Sequence, residues 1–222
     1  MDLHIILVTL HAIGFAFGVG GATSSDLVFL RSIKNGSVSR DEYNLIKTLS
    51  TVVWTSVALL VVSGVALMAL QQYEIGEVPR YQWSWFQLKV LAFFFIVVNG
   101  LVFHFGVFPV VRRSIGKSFR SNKMKRRYPL FAITGAVSIV SWYGAFLLVA
   151  FGRILIDYSF FTLLAGYIAA ICFGAVGAYS VIKLYGDGKS DVVDTGKKFI
   201  IQSALLLALF IFLAAIYILV AA

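Results

Sequence analysis

Polar positions interrupt this chain in blocks rather than at a regular period. Six stretches contain no Asp, Glu, Lys or Arg: Leu3–Ser25, Thr48–Tyr73, Val90–Val111, Tyr128–Gly152, Tyr158–Ile182 and Phe199–Ala222. Each is long enough to cross a hydrocarbon core of about 30 Å, which takes roughly 20 apolar residues as helix. The pattern predicts an all-α integral membrane protein, a bundle of six transmembrane helices over about 3–30, 45–71, 85–111, 129–151, 158–184 and 197–221. Helix 1 is extended past its charge-free run, through Asp26 to about Leu30.

The connections are short. Loop 1, Arg31–Asn44, contains the turn signal Asn35-Gly36. Ser39 followed by Asp41 and Glu42 suits a helix start, where acidic groups meet the positive end of the dipole. Loop 2, Gln71–Ser84, contains Pro79, with Tyr81, Trp83 and Trp85 placed as an interfacial aromatic belt. Tyr128-Pro129 closes the long basic run, and a Pro is tolerated in a first helical turn. Loop 4, Gly152–Asp157, is short enough to make helices 4 and 5 an antiparallel hairpin, and loop 5, Tyr185–Thr195, carries Gly186 and Gly188. No room remains for a soluble unit, so residues 1–222 form one transmembrane domain.

Composition agrees: 60% of residues are hydrophobic, 13% are charged and the mean hydropathy is +0.91. A soluble domain carries about a quarter charged residues. The formal charge of +9 would suggest nucleic acid in a soluble protein, but its distribution argues otherwise. Arg31, Lys34, Arg40 and Lys47 lie between helices 1 and 2. Arg112, Arg113, Lys117, Arg120, Lys123, Lys125, Arg126 and Arg127 lie between helices 3 and 4, and Lys183, Lys189, Lys197 and Lys198 between 5 and 6. Only Arg80, Lys89 and Arg153 fall on the opposite side. Positive loops stay in the cytoplasm, so both termini are expected outside, in a multi-pass protein of the cytoplasmic membrane. The run 112–127 also suits anionic lipid or an acidic partner. The start lacks the basic region of a signal peptide, and the single Cys172, inside helix 5, reads as a small packing residue.

Candidate chemistry rests on the few polar groups inside the helices. His4 and His11 are seven residues apart and so share a helix face to within about 20°. That face continues through Gly14, Gly18, Ala22 and Ser25. Gly14 and Gly18 suit close packing of another helix. They equally suit a slot for a flat ligand beside an imidazole. Lys89 opens helix 3, where it could snorkel to the interface, and His104 lies near the other end of that helix. At 1.5 Å per residue His11 sits about 12 Å below its outer start, Lys89 about 6 Å and His104 nearly 30 Å. His11 and Lys89 therefore share a level. As metal ligands, His11 and His104 could meet across one iron only after a large helix shift, which leaves His104 to a second site. Asp26 is explained either by an ion pair with Arg31 or a loop base, or as a proton or ion relay. Asn99 suits interhelical hydrogen bonding or the same relay, and Trp142 and Tyr143 are aromatic candidates for core or cofactor lining. No CxxC, HExxH, phosphate loop or dense acidic set is present, which excludes hydrolytic and phosphoryl-transfer chemistry of those kinds.

The segment LHAIGFAFGVGG (10–21) resembles helix 1 of the bacterial copper-resistance D (CopD) family and of the related HemJ-type protoporphyrinogen oxidases. FQLKVLAFFFIVVNGLVFH (86–104) is similar to the later HemJ-type helix that carries a Lys near its start and a His further along. The resemblance covers the first half of the chain and implies b-type haem associated with His11 and Lys89. Three classes of function follow. The first is a haem-binding membrane protein in electron transfer or in tetrapyrrole or small-substrate oxidation, a haem-dependent oxidoreductase working with a redox partner or a second copy. The second is a cofactor-free transporter or channel for a small solute or metal ion using Asp26, Asn99 and His104. The third is an assembly subunit that docks a partner through its basic loop.

Overall fold

The computed structural model describes residues 2–74 and 83–186. The sixth expected helix, 197–221, the chain beyond Gly186, and Pro79, Arg80 and Tyr81 lie outside them.

Among the described residues every regular element is helical, and five helices are long and apolar enough to cross a membrane. Helix α1 is Leu3–Asn35 and α2 is Arg40–Glu74. The third span is α3, Ser84–Val102, continued through a π-helical turn, Phe103–Val107, into α4, Phe108–Arg113. A short α5, Asn122–Lys125, precedes α6, Tyr128–Ala150. A single turn, α7 (Gly152–Leu155), leads to α8, Phe160–Gly186.

The first two helices overrun their expected bounds, and their caps explain why. Gly36 ends α1 at φ 82°, where its N–H donates to the Ile33 carbonyl at 3.0 Å. Ser39 and Glu42 then form a reciprocal capping box: Ser39 N–H donates to Glu42 Oε2 at 2.8 Å, and Glu42 N–H donates to Ser39 Oγ at 3.1 Å. The loop expected over Arg31–Asn44 is therefore a tight turn between two long helices. At the other end of α1, Asp2 accepts from the His4 N–H at 3.0 Å. Pro129 stands in the first turn of α6, as expected.

The π turn has a local cause. Pro109 has no N–H and its ring clashes with the preceding turn of a regular α-helix. Widening the helix relieves this, and Phe108 N–H donates five residues back, to the Phe103 carbonyl.

Helices α1 and α2 form an antiparallel pair, and α6 packs on α3, α8 and α1. Of the most apolar stretch of α6, 39% is buried, against 6% for α8, so α6 is central and α8 peripheral among the described helices. The outward surface is apolar, with Phe17, Val62, Phe105, Phe161 and Phe173 all exposed. So broad an apolar surface is untenable in water and fits lipid. The chain has the character of a multi-pass membrane protein.

The basic segment expected as a loop is folded onto the end of the bundle. Phe119 N–H donates to the Gly36 carbonyl at 2.8 Å, and Gly116 N–H to the Val38 carbonyl at 3.0 Å. Phe119, Val38, Ile33, Met124 and Tyr128 close a core beneath it, and the Tyr128 hydroxyl donates to the Phe119 carbonyl at 3.0 Å. The cationic side chains from Arg112 to Arg127 stay exposed over that core.

Candidate functional site

Polar groups gather at two levels of the bundle. The first centres on His11. Its Nδ1 lies 2.9 Å from Ser63 Oγ, and Ser63 Oγ lies 2.6 Å from the Leu59 carbonyl. A hydroxyl has one hydrogen, and the carbonyl can only accept. Ser63 therefore donates to Leu59 and accepts from His11, which puts the imidazole hydrogen on Nδ1 and leaves Nε2 a bare lone pair. Gly64 allows the ring to lie against α2: a Cβ there would sit 3.4 Å from His11 Cε1. Lys89, half-buried on α3, lies within Coulombic reach of His11. The level expected from rise per residue is thus shared in space.

The small residues of α1 face protein. Gly14 meets Leu59 and Leu60 of α2, with a Cβ there only 3.3 Å from both side chains. Gly18 lies directly under the indole of Trp142, too close for any Cβ. Both glycines serve helix packing, and Gly14 also lines an apolar groove of about 250 Å³ with Phe17, Thr51 and Leu59, whose lining does not include His11. His4 is exposed on the same helix, where only its backbone N–H is engaged.

His104 belongs to neither level of polar groups. It lies exposed in the π turn, edge-on to Phe105 at 5.0 Å and near Phe108 at 6.1 Å. It follows Lys89 by fifteen residues, roughly 22 Å along the helix, so it does not approach His11. No group of three or more His, Cys, Asp and Glu side chains that could hold a metal ion occurs among the described residues.

The second level centres on Asp26. Ser138 of α6, not Arg31, is the side chain that reaches its carboxyl group. One carboxyl oxygen, Oδ2, is shielded from solvent and has no partner. Asp26 lines a cavity of about 70 Å³ where α1, α2, α3 and α6 converge. Asn99 lines the same cavity, with Nδ2 donating to the Thr134 carbonyl at 3.0 Å. The structure therefore brings Asp26 and Asn99 together and leaves His104 apart. The indole of Trp142 both covers Gly18 and lines the Asp26 cavity. Tyr143, one residue on, points its hydroxyl to Thr23 at 3.1 Å.

Ser63 and Ser138, which orient the two ionisable groups, escape sequence reasoning. Hydroxyls inside apolar runs are the only available signal, and Ser56, Ser141 and Thr134 carry the same signal while bonding elsewhere.

A metal-ligating histidine needs a bare nitrogen and a fixed partner on the other. His11 has both, and Lys89 offers an amine on a different helix within its electrostatic reach, so two nitrogen donors of the kind an iron takes are present at this level. No family model, curated protein or solved structure matches the chain.

Proposed function

We propose that this chain is a six-helix protein of the cytoplasmic membrane, with both termini outside, that binds b-type haem at His11 and acts in membrane electron transfer or in oxidation of a membrane-soluble or tetrapyrrole substrate. The observation that carries this reading is the Ser63-fixed imidazole with Nε2 bare at the level of Lys89. The resemblance of residues 10–21 and 86–104 to CopD and HemJ-type helices points the same way.

His11 would hold the group through Nε2, and Lys89 would offer its amine as a second donor. Ser63 keeps the ring in one orientation and raises the basicity of Nε2 by accepting from Nδ1–H. The α1–α2 pair leaves His11 half-buried. A haem held there would supply a one-electron couple. Electrons enter and leave through a redox partner or a second copy of the chain, and the exposed basic face over 112–127 suits an acidic partner or anionic lipid.

The test is a visible spectrum of protein purified from haem-supplied cells, oxidised and reduced. The expected result is a Soret band that shifts on reduction, lost in His11→Ala and retained in weakened form at most in His4→Ala. Wild-type protein without a Soret band overturns the reading.

A further inference from the structure

The buried carboxylate of Asp26 takes no part in the site at His11. It precedes the end of α1 at Asn35 by nine residues, roughly 14 Å, and so lies well inside the span. The cavity beside it is lined by Ser25, Ser50, Asn99, Thr134 and Ser138, one or more from each of four helices. None of its other lining residues is charged or titratable. At about 70 Å³ it exceeds several-fold the ~10–15 Å³ that one water requires, and it has the polar partners a water needs.

An isolated carboxylate in such a place is costly, and three remedies exist: a basic partner, a bound cation or a proton. The basic partner is excluded by the lining. Ser138 approaches the carboxyl group, while Oδ2 is shielded from solvent and has nothing to accept from, in a residue that lines the cavity. A proton needs only Oδ2 and an acceptor water, whereas a metal cation must gather a shell of oxygens. Thr134 Oγ1 donates to the Leu130 carbonyl at 2.9 Å and Asn99 Nδ2 to the Thr134 carbonyl at 3.0 Å, so both side chains are already anchored within the bundle.

We propose that Asp26 is a proton-exchange site: its carboxyl rests protonated on Oδ2, passes that proton to water in the cavity and takes it back. The balance is simple. The O–H bond of the carboxyl breaks as a water O–H forms, giving carboxylate and hydronium, and the reverse restores the acid. Ser138 remains donor to the other oxygen in both states. Asn99 anchors α3 to α6 at the same level and keeps the cavity open.

Infrared difference spectroscopy of the full chain in lipid bilayers, stepped in pH, tests this directly. The expected result is a protonated-carboxyl C=O band that shifts in deuterium oxide, vanishes at high pH and is missing in Asp26→Asn. Ser138→Ala keeps the carboxyl but removes the hydrogen bond to its carbonyl oxygen, so the band should move to higher frequency. That second variant reads the site even if Asp26→Asn folds poorly. A spectrum identical in wild type and Asp26→Asn overturns the proposal, as does a band unmoved by Ser138→Ala. Displacement of the band by sodium at constant pH also overturns it, in favour of a metal-cation site. Each readout is independent of a Soret band.

Discussion

At the scale of single residues, two side chains decide what the α1 face can do. Trp142 lies against Gly18 with no space for a methyl group. Gly18→Ala should therefore destabilise the protein by about 1–3 kcal/mol, the usual cost of overpacking. Thermal unfolding in detergent measures this, and Trp142→Leu on the Gly18→Ala background should recover part of the loss. No change in the midpoint would place the indole elsewhere. Lys89 offers a sharper choice. As an interface anchor it is replaceable by Arg, which keeps the charge on a long stem. As an iron ligand it would have to surrender a lone pair, which Arg cannot do because it does not deprotonate in proteins. On the proposed haem reading, Lys89→Arg is expected to perturb the spectrum of the bound group as much as Lys89→Ala, with expression intact. An unchanged spectrum returns Lys89 to anchoring. His11, Lys89 and Asp26 were all legible, because an ionisable residue in an apolar run stands out by its cost. Their partners were not. Ser63 is fifty-two residues from His11, and spacing within one helix carries no information about which hydroxyl another helix presents.

At the scale of elements, the ends and the contacts between helices follow different logic. The start of α2 is written locally, in Ser39 and Glu42, and each satisfies a backbone N–H of the other. Ser39→Ala should cost about 1 kcal/mol, within the usual range for losing an N-cap. Equilibrium unfolding of the variant checks it, and an unchanged stability would mean that tertiary packing alone holds this end. Contacts between helices are written non-locally. Trp54 lies over Gly100, Trp85 over Gly152 and Trp142 over Gly18, so three indoles each seat on a glycine of another element. The sequence shows the tryptophans and the glycines but not their matching. The π turn falls between these cases. Pro109 inside an apolar run is a local signal that the third span is not regular, yet whether the helix kinks, breaks or widens depends on the packing around Phe103 and Phe108. The helix expected over 85–111 was therefore right in extent and silent about its interior.

At the scale of the whole molecule, the described bundle is asymmetric end to end, and that asymmetry underlies the expected orientation. Its basic end carries a folded cap, in which residues 115–119 cross the α1–α2 turn and Phe119 is fully buried. Eight cations between Arg112 and Arg127 ride on this cap, whereas the α7 end shows Asp157 exposed and no comparable cluster among the described residues. The apolar girdle and the five spans were legible because lipid imposes one simple rule on every helix. The cap was not, because its core of Phe119, Met124 and Tyr128 is scattered among charges that conceal any period. A structured cap strengthens the topology argument: its cations are held together at one surface, so moving them across the membrane means moving them as a block. The expected orientation puts this end in the cytoplasm. With Cys172 replaced by Ala, single cysteines at Ser118 in the cap and at Asp157 near α7 report on opposite ends, both exposed in the structure. In intact cells an impermeant maleimide should label Asp157→Cys and spare Ser118→Cys until the membrane is opened. Labelling of Ser118→Cys from outside, with Asp157→Cys protected, would invert the orientation. It would place the His11 level near the cytoplasmic leaflet and open the Asp26 cavity towards the outer face.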